Sequence, residues 1–231
     1  MVITTANGKK VVAHYQINTG PQYNISAYNL RSTSRFIDSA LAHYPKELEL
    51  GDALNAQRIE DEQLALTNFL KDHGYFTAQL GWVYFEIDTT GGPNASEITG
   101  VVDPFIFGGL DERQRISKIT VRPTYSFQEE NTVNDSTRTV HGIDVLQNDR
   151  LFRPGFLDEQ IYLERGAFYD QNLLRTTYKN LSSLGVFQTV EVNVQPKDNA
   201  LHATLNLVPL PKRSVSANLE GLGNSGSLGV G

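Results

Sequence analysis

Gly166-Ala-Phe-Tyr-Asp170, followed after a helix-spaced run by Leu181-Ser-Ser-Leu-Gly-Val-Phe187, reads as loop, helix cap, helix, stop and strand. Asp170 is a good N-cap, because a short side-chain oxygen there accepts from the unpaired amides of the first turn. Leu173, Leu174, Tyr178, Leu181 and Leu184 recur at helical spacing, and Gly185 suits the left-handed residue that ends a helix. Beyond it Val186, Val190, Val192 and Val194 alternate with polar residues. Pro196-Lys-Asp-Asn199 then turns, and Leu201, Ala203, Leu205 and Leu207 alternate back. This is a hairpin with one apolar face.

The same punctuation occurs earlier in the chain. Gly51 precedes Asn55 as Gly166 precedes Asp170, and Gly74-Tyr-Phe76 answers Gly185-Val-Phe187. The helix between cap and stop is longer in the first copy by 4 residues, about one turn, so its apolar face keeps its orientation. A strand (Tyr23, Ile25, Ala27) and a short helix capped within Ser32-Thr33-Ser34 and stopped by Pro45 precede the first copy. Arg115 to Arg122 and a short helix begun at Pro154 precede the second. The order is β-α-α-β-β, twice. The fold class is therefore α+β: tandem units, each a small mixed three-stranded sheet with two helices on one face.

Between these anchors, Tyr75 to Asp88 is rich in strand formers, but its apolar phase shifts from Phe76, Ala78, Leu80 and Trp82 to Val83, Phe85 and Ile87. A bulge near Gly81 accounts for the shift. Ile98 to Phe107 reads as the next strand and Gly108 to Arg113 as a linker. Residues 123–150 read as a polar insertion holding a hairpin. The expected units are 21–110 and 111–211, after the end of a preceding unit in 1–20, where Lys10 to Ile17 alternates.

The chain has 231 residues, 20 Lys or Arg against 26 Asp or Glu, and no Cys. A net charge of −6 without a basic cluster lacks the footprint of a nucleic-acid binder. No apolar run reaches the roughly 20 residues of a membrane helix. The absence of Cys removes disulfides, thiolate nucleophiles and zinc-thiolate sites.

Gly51 to Phe76, and more strongly Gly166 to Val194, resemble polypeptide-transport-associated (POTRA) domains of the outer-membrane β-barrel assembly family, the BamA- and TamA-like bacterial surface antigen proteins. Ser214 to Gly231, with Glu220-Gly-Leu-Gly-Asn-Ser-Gly-Ser-Leu-Gly-Val230, looks like the start of that family's first barrel strand. The Phe85-Glu-Ile-Asp-Thr-Thr90 strand and the insertion after Pro123 are most like the family's Bacteroidetes branch. The length of that insertion departs from the family pattern.

The resemblance implies a non-catalytic arm at the periplasmic face of the outer membrane, soluble as this piece but joined to a C-terminal membrane barrel in its parent. It would need no cofactor or metal. Its partners would be unfolded outer-membrane β-barrel proteins, periplasmic chaperones or accessory assembly subunits, met when an extended segment adds to an open sheet edge. The alternatives are the arm of a secretion or lipid-handling pore, or a structural scaffold. In the family the strand after the second helix is the exposed edge. That maps to Thr77, Gln79, Gly81 and Val83 in the first unit and to Phe187, Thr189, Glu191 and Asn193 in the second. The bulge near Gly81 would serve docking or, equally, blunt the edge against aggregation.

Other patterns have plainer readings. Gly221-Leu-Gly-Asn-Ser-Gly226 matches a dinucleotide fingerprint, yet no helix and no acidic residue about 20 positions on follow it. The five His residues show no ligand spacing, and His73 reads as a partner of a helix C-terminus. Asp158-Glu159 and Glu60-Asp61-Glu62 read as solvated helix faces, and no Ser has an evident His and Asp partner, so nothing points to an enzyme. Trp82, Tyr75, Phe76, Tyr84 and Phe85 are read as core packed under helices, with an exposed client surface as the alternative.

Overall fold

A computed structural model describes residues 2–7, 10–15, 20–126, 136–147, 151–198 and 200–211. The expected barrel strand from residue 212 on, the Gly221 to Gly226 motif and part of the 123–150 insertion lie outside these. Where one strand was expected at Lys10 to Ile17, β1 (Val2–Asn7) and β2 (Lys10–Tyr15) pair antiparallel as a two-stranded sheet.

The first unit runs β3 (Asn24–Ser32), α1 (Arg35–Leu41), α2 (Ala56–Asp72), β4 (Val83–Asp88) and β5 (Ala95–Val102). Its sheet order is β3-β5-β4, with β3 parallel and β4 antiparallel to β5. Ile37, Leu41, Leu66 and Leu70 bring both helices onto one face of that sheet, against Val83 and Val102. The caps are those read from the sequence: Ser34 Oγ accepts from Phe36 N, and Asn55 Oδ1 accepts from Arg58 N at 2.9 Å. Each such cap contributes about 1 kcal/mol.

Two strand expectations are corrected. Residues 75–82 are turns followed by a 3-10 helix over Leu80–Trp82, and the β4 to β5 register runs without a bulge from Val83↔Val102 to Asp88↔Glu97. The cause is tertiary: Tyr75, Ala78 and Trp82, at spacings of three and four, all turn into the core, and Trp82 is 0% exposed. Gly81 lies under the Phe107 ring, where a Cβ would come within 2.4 Å of it. The strand expected to reach Phe107 stops at Val102. Asp103 caps a 3-10 helix begun by Pro104, which has no N–H to offer a ladder.

The second unit runs β6 (Ile116–Arg122), β7 (Ser136–Val140), β8 (Ile143–Gln147), α3 (Pro154–Asp158), α4 (Gln171–Ser183), β9 (Phe187–Lys197) and β10 (Ala200–Pro209). Asp170 Oδ1 caps α4 through Asn172 N and Leu173 N, and Pro154 opens α3. The expected three strands β6, β10 and β9 are present. The insertion hairpin extends them to five in the order β7-β8-β6-β10-β9, with β8 parallel to β6. The insertion thus occupies the edge that β6 would otherwise present.

The units meet at the end of α2. Arg113 Nε donates to His73 O at 2.7 Å, and Gln114 N donates to Gly74 O at 2.9 Å. Gly74 has φ +101°, and a Cβ there would press on the Arg113 side chain. Phe76, expected in the first core, instead packs on the second, its ring edge-on to Tyr169 at 5.0 Å. Arg175 on α4 approaches Asp72 at 3.6 Å. Burial raises the Asp72 pKa against the opposing pull of Arg175, and pushes Tyr169 up to about 12.

Candidate docking edges

An extended segment can add to a sheet only where backbone N–H and C=O groups point away from the existing neighbour. In an antiparallel pair those groups belong to the non-hydrogen-bonded positions. The register of β10 identifies them on β9. Leu201 N donates to Arg115 O and Tyr125 N donates to Leu207 O, both at 3.0 Å, so the backbone groups of Leu201, Ala203, Leu205 and Leu207 turn away from β9. Their partners are Pro196, Val194, Val192 and Val190. The backbone groups of these four therefore face out from the end of the sheet, with Pro196 lacking the donor.

The sequence placed the right strand at the edge but the other parity of residues. Thr189, Glu191 and Asn193 turn their backbone groups inward to β10 and their side chains to the polar face, where Asn206 Nδ2 donates to Glu191 Oε2 at 3.0 Å. Phe187 is buried and lies 5.0 Å from the Phe152 ring. Val190, Val192 and Val194 are half-buried against the core of the unit. Alternation shows which residues share a face. Which set bonds to the neighbour depends on register, set here by the Gln188 irregularity opposite Val208 and Pro209.

The first unit is more closed. Thr77, Gln79 and Gly81 precede its edge strand, and the Thr77 hydroxyl accepts from Leu110 N at 3.2 Å. Val83 does begin β4. Thr33 N donates to Val102 O, which turns Val102 toward β3 and its partner Val83 outward. Both outward groups of Val83 are already used: its N–H donates to Leu80 O, and its carbonyl accepts from Gln63 Nε2 at 2.7 Å. Gln63 also donates to Leu80 O at 3.0 Å. Only Phe85 and Ile87 remain as outward positions on β4.

The β3 edge is covered at its start and engaged at two points beyond. Gly51 N donates to Ile25 O, Ile25 N to Asp52 O and Leu54 N to Tyr23 O. Lys46 Nζ caps Tyr28 O, and Asp38 accepts from Ser32 N. The 11-residue β9 is thus the longest edge with outward groups among the described residues, against five residues in β7 at the opposite end of its sheet.

Three further side chains read from the sequence have partners in the fold. Glu62, grouped with Glu60 and Asp61 as solvated, is 0% exposed. Its carboxylate accepts from Tyr28 Oη at 2.7 Å and from Glu47 N at 3.1 Å, holding the connection after α1 to α2 and β3. Helical spacing alone places residue 62 on the inner face with Leu66 and Leu70, but the acidic run conceals it. Asp158 lies 2.6 Å from His141 Nδ1 in the β7–β8 turn and so fastens the insertion to α3. His73 does meet its helix end, with Nδ1 at 2.7 Å from Phe69 O. Among the described residues no group of three His, Asp or Glu is placed to hold a metal, and no helix is long and apolar enough to cross a membrane.

The chain is similar in structure to POTRA3-5 of BamA from Haemophilus influenzae, at 20% identity and TM-score 0.50, over 90% of this chain and 70% of that one. It is similar also to BamA from Haemophilus ducreyi lacking POTRA domains 1-3, at 15% identity and TM-score 0.53, over 81% of this chain and 30% of that one. No family model and no curated protein matches the sequence. The fold is that of tandem POTRA domains.

Proposed function

We propose that these tandem POTRA domains, 21–110 and 111–211, are the periplasmic arm of an outer-membrane protein assembly factor. An extended segment of an unfolded barrel client or an accessory subunit adds to β9. The reading rests on one observation above all: the backbone groups of Val190, Val192 and Val194 face outward at the end of a sheet, while on the edges of the first unit Ile25, Tyr28 O and Ser32 N of β3 and Val83 of β4 are already engaged. Main-chain pairing suits a receptor for many sequences, since every client carries the same amide pattern. Binding by an unfolded segment is weak per unit area, because ordering it offsets much of what the contacts contribute. In the whole protein β1 and β2 would close a preceding unit, and the arm would adjoin an outer-membrane barrel.

Crosslinking in the parent protein tests this. A photoreactive residue at Thr189, Glu191 or Asn193, whose side chains flank the added strand, should capture outer-membrane barrel proteins, and Val192→Pro should abolish capture. No capture at these positions, or capture indifferent to Val192→Pro in a folded protein, overturns the reading. The packed joint of Phe76 on Tyr169 and Arg175 on Asp72 favours a second reading, a spacer that sets subunit distances. That spacer would be indifferent to Val192→Pro.

A further inference from the structure

Asp61, Leu64, Ala65, Asn68, Phe69 and Asp72 recur at i, i+3, i+4, i+7, i+8 and i+11, one stripe along α2. The stripe lies opposite the face that carries Glu62, Leu66, Thr67 and Leu70 into the core. With Tyr44, Pro45 and Glu47 it lines a cleft of about 490 Å³. Leu64 is 50% exposed in it, and Tyr44 and Phe69 meet edge-on at 5.2 Å.

Every carboxylate or ammonium group lining this cleft is acidic: Glu47, Asp61 and Asp72. Arg175 reaches Asp72 at one end of the cleft, at 3.6 Å. One buried polar atom of the lining, Tyr44 Oη, has no hydrogen-bond partner among the described residues, and Asp72 Oδ1 has only the longer ion pair with Arg175. Tyr44 itself is only 8% exposed. An apolar floor with an acidic rim and an unmatched hydroxyl is complementary to a cationic amphipathic segment. From Asp61 to Asp72 the stripe is about 16 Å long, three turns of a facing helix. Its spacing is the one that helix-on-helix packing uses.

We propose that this face of α2 is a docking surface for a partner helix that carries Lys or Arg beside a short apolar stripe, separate from the β9 edge. The opposite charges would steer the encounter and set specificity. The site belongs to the first unit alone, so its failure would leave the β9 reading untouched.

The test uses the full chain and a fluorescein-labelled helix-forming peptide of four turns, with a Leu stripe flanked by Lys, read by fluorescence anisotropy. A second peptide carries Glu in place of every Lys. The Lys peptide should bind at least roughly tenfold more tightly than the Glu peptide, and should weaken as salt shortens the Debye length. Glu47→Lys with Asp61→Lys should reverse that preference, while Val192→Pro should leave it unchanged. Absence of binding, equal binding of the two peptides, indifference to the charge reversals, or loss of binding in Val192→Pro each overturns the proposal. The peptide comparison in the unaltered chain keeps the test valid even if a variant folds poorly.

Discussion

The side-chain amide of Gln63 donates to the carbonyl of Val83 at 2.7 Å and to that of Leu80 at 3.0 Å, so a helix residue terminates the sheet edge of the first unit. Among the described residues nothing equivalent covers the outward positions Val190, Val192 and Val194 of the second. Gln63→Ala should lower stability by about 1–3 kcal/mol, two hydrogen bonds at roughly 0.5–1.5 each. Urea denaturation checks this, and an unchanged midpoint would mean that the cap contributes nothing.

Register predicts a contrast between adjacent prolines on β9. Val192 turns its N–H outward, whereas Asn193 pairs with Thr204 and turns its N–H into the ladder. Both substitutions carry the cost of fixing φ, but only Asn193→Pro also leaves a carbonyl of β10 unmatched. Asn193→Pro should therefore be less stable than Val192→Pro by about 1–3 kcal/mol. Thermal melts of the two variants side by side measure the difference.

Much of this fold is legible in the chain because local chemistry dictates it. Asn55 and Asp170 cap helices with their own side chains, Gly74 and Gly185 take up positive φ, and the alternation from Val190 to Val194 is answered by that from Leu201 to Leu207. What escapes is set at long range. Residues 75–82 alternate like a strand until Tyr75 and Trp82 are drawn beneath α1 and α2. Phe76 leaves its own unit for Tyr169 across the joint. The edge strand of the second unit can be found from its valines, but its outward parity depends on where β10 meets Arg115 and Tyr125. Gln63 carries no sequence signal at all, since a polar residue on a helix is ordinary until a strand end arrives beside it.

The buried carboxylate of Glu62 should be a stability determinant of the first unit. Glu62→Ala leaves Tyr28 Oη and Glu47 N without an acceptor, and each orphaned donor costs about 1–3 kcal/mol. A loss of about 2–6 kcal/mol in chemical denaturation is expected, with the β9 edge unaltered. A neutral substitution would show that the connection after α1 needs no such anchor.

Attachment of the insertion should depend on pH. The hydrogen bond to Asp158 raises the pKa of His141 above its ordinary value, and the charge of Asp158 adds to the effect. A group with a raised folded pKa contributes stability fully below its unfolded pKa and loses it as pH rises through the folded one. The β7–β8 turn should therefore hold α3 more firmly in mildly acidic than in alkaline solution. An NMR titration of the His141 ring should show the raised pKa, and Asp158→Asn should return it toward the ordinary value. Equal titration in both proteins would sever the link.

The most direct measurement is amide hydrogen exchange along β9, with and without an extended peptide from the last strand of an outer-membrane barrel protein. Free, the amides of Val190, Val192 and Val194 should exchange fast, while those of Thr189, Glu191 and Asn193, bonded to β10, should be protected. Added peptide should protect the three valine amides and leave the other three as they were. Protection that appears instead on Phe85 and Ile87 of β4, or peptide binding without any change at the β9 valines, would contradict the account.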